Sequence, residues 1–316
     1  MTSRFQELIA QNQVNISRRR KAVNAVMLTI TGMLTLLALI PLFWIIGYVI
    51  FRGGKALNLA FFTQLPRPMG MEGGGVLHAI EGTVIVTILA AVFAIPPGLL
   101  AAFYAARNPN TPLGIGLRFS TDVLSGVPSI VIGLFGYAII VKPQGHYSGL
   151  AGGVALAILM LPTIIRTTEE MLKLVPHTLR EGSLALGAPE WKTSLSVILP
   201  AAANGVITGF LLALARAAGE TAPLLFTALG NERFDLRLII TSGIQSHQSI
   251  GQIIGRIIDQ PVDSLPLTLW KYAQQPFPER VEQSWAVALI LMILVLLTNV
   301  GARLWIESRK RRLQGK

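Results

Sequence analysis

The chain of 316 residues contains no cysteine, and only 14% of its residues are charged. The absence of cysteine excludes disulfide bonds, thiol nucleophiles and metal sites built on thiolates. Soluble domains average about 25% charged residues, so the low fraction here indicates a polytopic membrane protein with little room for a separate soluble domain. Only four histidines are present, and no two of them have the spacing H-x-x-x-H. We therefore expect neither a metal site nor a cofactor.

The sequence also lacks a phosphate-binding loop of the form G-x-x-x-x-G-K-[ST], in which backbone amides wrap phosphates. The stretch from Gly187 to Thr193 resembles this loop superficially, but Trp191 stands where glycine must precede the lysine. No plausible nucleophile and base stand together in or near the apolar segments. The chain is therefore predicted not to be an enzyme, and any hydrolysis of ATP must occur in a partner.

Positive charge is concentrated at the two ends of the chain. The formal net charge is +11, and residues 1–21 and 303–316 together carry +9 of it. Lys and Arg clustered beside apolar segments mark the cytoplasmic side of a membrane. Nucleic-acid binding is disfavoured, because no basic stripe alternates with aromatic residues.

Six segments are apolar enough to cross a bilayer core of about 30 Å, which takes roughly 20 residues of helix. The sequence therefore predicts an all-α, polytopic membrane protein. Basic residues at both ends place both termini in the cytoplasm, which agrees with an even number of spans. The predicted spans are 23–51, 79–106, 118–141, 150–172, 200–229 and 284–306.

The spans predict three parts: a cytoplasmic tail over 1–22, a transmembrane domain over 23–306 and a basic cytoplasmic tail over 307–316. Within the domain, 173–198 falls on the cytoplasmic side and 230–283 on the outer side.

Proline and glycine interrupt two of the predicted spans. Pro96 and Pro97 lie inside the second span, where a missing backbone N–H predicts a kink. The sequence Gly126-Val127-Pro128 lies inside the third span. Close packing of helices explains most of the glycines there, and a gating hinge is the alternative.

The outer segment 230–283 is too long to be a simple turn. Isoleucines at 250, 253, 254, 257 and 258 recur with a helical period. They predict an amphipathic helix on the membrane surface, an outer gate or a platform for a binding protein, and the stretch 265–270 is expected in the membrane interface. His78 and Glu81, at the outer start of the second span, are predicted to be interface anchors rather than ligands.

Arg216 and Glu220 are the only charged residues of the fifth predicted span. Each costs about 2.5–3.5 kcal/mol at the centre of a membrane helix. Their i, i+4 spacing places them on one face, which the small residues Ala213 and Ala217 predict to be turned inward. Two interpretations remain open. The pair either neutralises itself structurally, or the planar arginine meets a tetrahedral oxyanion such as phosphate while the glutamate weakens its hold.

A mildly polar stretch, E-G-S-L-A-L-G-A-P-E-W-K-T-S-L-S-V-I-L-P, runs from Glu181 to Pro200. It resembles the cytoplasmic loop of ABC importer permeases, whose pattern is Glu-Ala-Ala, three residues, Gly, nine residues, Ile, one residue, Leu-Pro. Val197 replaces the isoleucine, and two small residues replace the alanines. The resemblance implies that an ATPase binds this loop. The implied coupling residues are Glu181, Gly182, Ser183, Ala185, Gly187, Leu199 and Pro200.

Further blocks extend the resemblance to roughly residues 20–306: GGGVLHAI at 73–80, SGVPSIVIG at 125–133, RAAGETAPLL at 216–225 and LPLTLW at 265–270. On these blocks the chain is similar to the PstA family, the permeases of bacterial phosphate-specific ABC importers. The R-x-x-G-E-T core is shared with the sister PstC family, whereas the residues after it and the LPLT block favour PstA.

The resemblance implies a six-span permease of the type I ABC importer fold in the bacterial cytoplasmic (inner) membrane. It implies a PstC-like second permease, two PstB-like ATPase subunits inside and a PstS-like phosphate-binding protein outside. Phosphate and membrane lipid complete the implied partners, without nucleic acid. It also places Arg216, Glu220 and Thr221 on the substrate pathway.

Two other kinds of transporter remain as alternatives. One is a permease for a related oxyanion, such as sulfate or molybdate, against which the PstA-type blocks argue. The other is an ion-coupled secondary transporter with Glu220 as its proton carrier. The loop from Glu181 to Pro200 argues against the second, because a secondary transporter has no ATPase to bind.

Overall fold

The computed structural model describes residues 2–71 and 73–313, with side chains over 19–71, 73–298, 300–301 and 304. Throughout this part of the chain the regular elements are helices, apart from one isolated β-bridge between Pro66 and Gly74. The predicted all-α class is therefore confirmed.

Fifteen α-helices are present in the described part of the chain. They are α1 (Thr2–Ala56), α2 (Leu59–Thr63), α3 (Leu77–Arg107), α4 (Pro112–Gly126), α5 (Ser129–Gly136), α6 (Lys142–Gln144), α7 (Gly149–Lys173), α8 (His177–Ala185), α9 (Glu190–Thr193), α10 (Leu199–Ala218), α11 (Ala222–Thr227), α12 (Leu236–Gln245), α13 (Ile250–Ile258), α14 (Leu265–Ala273) and α15 (Pro278–Leu313). Two π-helical segments, Tyr137–Val141 and Ser194–Ile198, join α5 to α6 and α9 to α10.

Among the described residues, five helices are long and apolar enough to cross a membrane, and a bent pair of helices is a sixth candidate. The five are Arg19–Ala56, Leu77–Arg107, Gly149–Lys173, Glu190–Ala218 and Pro278–Thr298. The pair, Pro112–Gly126 and Ser129–Gln144, is bent by 103°. The bend falls at Val127-Pro128, because a residue before proline is driven out of the helical conformation.

The fifth predicted span, 200–229, differs most from the structure. Its helix begins earlier, at Glu190, and ends at Ala218. Three residues then separate it from the short helix α11, so Glu220 does not continue the helix as expected. Glycine at 219 and proline at 223 account for the break, because glycine favours helix ends and proline cannot donate the hydrogen bond that would join the two helices.

Residues up to Arg52 form one compact unit, and a second unit begins at Gly53. In the first unit the side chains of Leu28 and Trp44 are 71% and 74% exposed. Large apolar side chains exposed along a helix of this length fit an environment of lipid or of another protein chain.

The core of the second unit lies between α3 and α7. In the most apolar stretch of α7, 67% of the residues are buried, whereas the corresponding share in α3 is 22%. Helix α7 is therefore the central helix. A methyl group added at Gly153 would lie 2.5 Å from Cβ of Leu89, and one added at Gly98 would lie 2.8 Å from Cγ2 of Ile164. Small residues therefore let the two backbones approach closely.

The outer segment 230–283 is built into this unit. The backbone amide of Leu265 donates to Oγ1 of Thr83 at 2.8 Å, and the amide of Leu236 donates to the carboxylate of Glu81 at 2.9 Å. Helix α14 is buried against the beginning of α15. Leu265 and Leu267 are therefore buried inside the chain, whereas Trp270 is 45% exposed and Ile250 on α13 is 77% exposed. The position of 265–270 in the membrane interface stays a prediction.

A buried ion pair closes the outer segment. The carboxylate of Asp263 is fully buried and accepts a hydrogen bond from Nζ of Lys271 at 3.0 Å. Nε2 of His78 lies 3.7 Å from the same oxygen, so this histidine is buried inside the chain rather than anchored at an interface. Gly230 has a φ of +90° and lies directly against this ion pair, so any side chain at this position would clash with both Asp263 and Lys271.

We predict that Gly153→Ala lowers the stability of the fold by about 1–3 kcal/mol, because the added methyl group overpacks the contact between α3 and α7. The matched control is Gly116→Ala, where the methyl group meets no atom within 4 Å. Thermal unfolding of the purified protein in detergent measures both. Equal midpoints for the two variants would show that the contact between α3 and α7 does not limit stability.

Candidate transport and coupling sites

Arg216 and Glu220 lie on either side of the point where α10 ends. Nε of Arg216 is 3.6 Å from Oε1 of Glu220. This separation is too long for a hydrogen bond, so the pair is a loose ionic contact rather than a two-pronged arginine–carboxylate clamp. The arginine lies in the last turn of α10, where a positive charge complements the helix dipole. The pair therefore does not satisfy the hydrogen-bonding capacity of the guanidinium group.

The two small residues expected to share the arginine's face do not share its environment. Ala213 and Ala217 are buried in the core, whereas the side chain of Arg216 is 55% exposed. The expectation that this face turns inward was wrong for the arginine within this chain. It lies on an exposed stripe with Thr208 and Leu212, at intervals of four residues.

Thr221 stands directly after the break, at the residue before α11. Its side chain does not cap that helix, although its carbonyl accepts a hydrogen bond from the amide of Leu225 at 3.2 Å. The structure thus brings Arg216 and Glu220 into contact across Gly219, and Thr221 follows next in the chain. A guanidinium and a hydroxyl can donate hydrogen bonds to a tetrahedral oxyanion, and a carboxylate beside them weakens the binding of that anion.

The loop between α7 and α10 is held by its own polar contacts. Oγ of Ser183 lies 2.9 Å from Oγ1 of Thr193, and the guanidinium of Arg180 donates to the carboxylate of Glu190 at 3.1 Å. Gly187 makes the turn between α8 and α9 at φ +81°, a conformation that side-chain-bearing residues rarely adopt. The loop is therefore a defined structure and not a flexible connector.

The predicted coupling residues fall into two groups. The residues from Glu181 to Gly187 lie on α8 and the turn after it, and most of them are exposed. Leu199 and Pro200 begin α10 instead, beyond the π-helical segment. No atom lies within 4 Å of a methyl group added at Gly187, so open space surrounds the turn.

Sequence reasoning missed two exposed apolar side chains beside this turn. Leu186 is 90% exposed and Trp191 is 67% exposed. Exposed apolar residues on a polar loop are typical of surfaces that contact another protein. The signal was present in the sequence, since both are large apolar residues close to the glycine.

Sequence reasoning also missed an ion-pair network at the loop end of the helices. Arg118 of α4 donates to the carboxylate of Glu169 at 2.7 Å and to the carbonyl oxygen of Ala105 at 2.9 Å. Asp122 accepts from Arg166 at 2.8 Å. Two charges inside a predicted span, at 118 and 122, were the available signal. The network fixes the first half of the bent pair to α3 and α7.

Comparison with known proteins agrees with the family resemblance found in the sequence. Residues 98–312 match the family described as binding-protein-dependent transport system inner membrane component. The chain is 39% identical to the phosphate transport system permease protein PstA of Yersinia pestis, over 93% of this chain and 95% of that protein. It is 36% identical to PstA 1 of Mycobacterium tuberculosis, over 94% and 92%.

A solved structure of the MetNI methionine ABC transporter, in an inward-facing conformation, is similar in fold. Its TM-score is 0.51 at 18% identity, and the match covers 74% of this chain and 94% of that one. The fold of this chain thus has a counterpart in a solved ABC transporter.

Proposed function

The chain belongs to the family of binding-protein-dependent transport system inner membrane components, and from this premise we propose that it is the PstA-type permease subunit of an ATP-driven importer for inorganic phosphate. The proposal that the substrate is phosphate rests on the similarity of nearly the whole chain to permeases of phosphate transport systems. Uptake of labelled phosphate in competition with sulfate and molybdate tests the substrate, and equal inhibition by all three anions would contradict it.

The proposed assembly contains a second, PstC-like permease, two PstB-like ATPase subunits and an external PstS-like phosphate-binding protein. Hydrolysis of ATP belongs to the ATPase subunits. The exposed stripe around Arg216 supports the second permease, because a charge inside a span is favourable only next to protein or water. The same stripe then forms one wall of the pathway between the two permeases.

In this pathway Arg216 meets the passing anion. Its planar group presents several donors that match the oxygens of phosphate. Glu220, on the other side of the helix break, keeps part of the positive charge neutralised, so the anion is attracted without being trapped. Thr221 supplies a hydroxyl at the same level. The break at Gly219 leaves this set on a short irregular segment rather than on a continuous helix.

The loop 177–198 is proposed to couple the permease to an ATPase subunit. The exposed turn at Gly187, with Leu186 beside it, supports a contact in which the ATPase receives the end of α8. Leu199 and Pro200 then act from the start of α10, as the junction between the loop and the span that carries Arg216.

We predict that Arg216→Met with Glu220→Gln yields an assembled importer that transports phosphate about 10- to 100-fold more slowly, because a charged hydrogen-bonding partner of the anion is lost. If the two residues only neutralised each other, replacing both would be tolerated. Arg216→Lys keeps the charge and loses the planar fork, so it should retain partial activity. Phosphate uptake per assembled complex is the measurement.

The matched control is Arg166→Met with Glu170→Gln. This pair has the same order and spacing, with 3.7 Å between Nε and Oε1, and it lies at the loop end of α7. Because Arg166 also donates to Asp122, thermal unfolding of this variant in detergent is measured beside its uptake. It should leave uptake nearly unchanged. Near-normal uptake by the variant at 216 and 220 would leave the purely structural interpretation standing.

We predict that Gly187→Ala weakens copurification of the ATPase, because alanine strains the left-handed turn by about 1–2 kcal/mol. Gly187→Asn should be milder, since asparagine tolerates this conformation better. The control is Gly145→Ala, which places the same kind of strain (φ +77°) on the turn after α6, away from the loop, where a methyl group meets no atom within 4 Å. Wild-type recovery of the ATPase with Gly187→Ala would contradict the role of the turn.

The proposed domains and topology place the tails 1–22 and 307–316 in the cytoplasm, with the permease domain 23–306 between them. We predict that a reporter fused after residue 316 or within 173–198 reads as cytoplasmic, and one within 230–283 as external, because the basic ends are retained inside. An external signal from the chain's C-terminus would reverse the orientation.

A further inference from the structure

A cavity of about 250 Å³ lies where the ends of α3 and α7 meet the loop 177–198. Its wall is apolar and includes Phe103, Leu172, Val175 and Ile198. Behind this wall a small hydrophobic cluster packs α7 against α10. The cavity is therefore a recess between the spans and the loop that is open on one side.

Three cations line the cavity on its polar side. They come from three different elements: Arg107 from the end of α3, Lys173 from the end of α7 and Arg180 from α8. A negatively charged molecule inside the cavity would thus contact both spans and the loop at once.

The carboxylates near these cations do not balance them. Glu190 pairs with both Arg107 and Arg180, and Glu169 pairs with both Arg118 and Lys173. Each carboxylate is therefore shared by two cations. The three cations that line the cavity face these two carboxylates, whereas Arg118 lies outside the lining, so one positive charge remains in excess beside an apolar recess that a polar anion alone would not fill.

This combination fits one chemical class of ligand. Basic pockets between membrane helices, close to the cytoplasmic surface, bind anionic lipid head groups. The cavity lies at that depth, since α3 and α7 end there and the helix that leads into α10 begins there. The apolar wall suits the adjoining hydrocarbon, and burying it against an acyl chain is favourable. Free phosphate satisfies the cations but leaves the wall unused.

We propose that this cavity binds the phosphate head group of an anionic phospholipid, with the start of an acyl chain against its apolar wall. The bound lipid links Arg107 and Lys173 of the spans to Arg180 of the loop, and so holds the loop in position for its partner. The proposal goes beyond the transport function. It concerns lipid binding, which can be measured whether or not the substrate is phosphate.

The experiment titrates the purified, detergent-solubilised complex with phosphatidylglycerol and measures bound lipid by native mass spectrometry. Phosphatidylcholine, which has no net charge, serves as the comparison lipid. Phosphatidylglycerol should bind the wild-type complex, and Lys173→Gln should weaken that binding about fivefold, the typical effect of one basic residue at a lipid surface. Glu169 keeps Arg118 as its partner in this variant, so no buried carboxylate is left alone.

Two further variants separate the cavity from the general charge of this surface. Arg166→Gln removes a cation from the same end of α7 that does not line the cavity, so it should leave lipid binding unchanged. Ala106→Leu fills the cavity without changing any charge and should abolish binding. Ala106→Val is a smaller filling variant for the case in which the leucine disturbs assembly, which gel filtration detects.

Each result bears on the proposal. Selective binding of phosphatidylglycerol that falls with Lys173→Gln and Ala106→Leu, and persists with Arg166→Gln, supports it. Equal losses from Lys173→Gln and Arg166→Gln would mean a diffuse surface effect and overturn it. Displacement of the lipid by millimolar inorganic phosphate would assign the cavity to the free anion and also overturn it. Failure of phosphate uptake in the same complex would bear on the transport proposal alone.

Discussion

Gly153 of α7 and Gly98 of α3 allow two helix backbones to approach closely. Within lipid, no hydrophobic driving force brings two such helices together. Apolar side chains gain little by leaving lipid for one another, so membrane helices depend on close packing instead. The contact between α3 and α7 provides it, and α7 becomes the helix around which the bent pair α4 and α5, the helix α10 and the short helix α11 are arranged. All four of these helices contact α7 directly.

Polar contacts brace the two ends of this packed centre. At the outer end, Thr83 and Glu81 bind the backbone of the long outer segment, and Asp263 pairs with Lys271 beneath it. At the loop end, Arg118 joins α4 to Glu169 of α7. Between these braces α10 ends at Ala218, and the irregular residues 219–221 that follow it include one member of the pair proposed to meet the anion.

The features that the sequence predicted well depend on local composition. Long apolar runs are sufficient to identify helices that can cross a membrane, and the spacing of Arg216 and Glu220 is sufficient to bring them into contact. Gly187 was identified by its motif, and its left-handed conformation supplies the physical reason. All of these features depend on residues that lie within a few helical turns of one another in the sequence.

The features that the sequence did not predict depend on contacts between distant residues. Residues 262–268 of the outer segment are buried, and within them the amide of Leu265 donates to Thr83, 182 residues earlier in the chain. Arg118 finds its carboxylate on another helix, 51 residues away. The exposure of Arg216 was missed for the same reason, since the alanines beside it show only that one face is buried. The periodicity of a sequence indicates which face of a helix is buried, but it does not indicate which other element packs against that face.

The position of the helix break also gives the molecule a mechanical property. On its outer side, Gly230 is wedged against a buried ion pair, so the chain just beyond α11 has a fixed support. On its other side, α10 is an unbroken rod of 20 residues. Such a rod is about 30 Å long. Gly205 and Gly209 of α10 lie so close to Met171 and Thr167 of α7 that no side chain would fit at either glycine. Arg216 therefore stands at one end of a rigid, firmly packed rod whose other end begins at the loop.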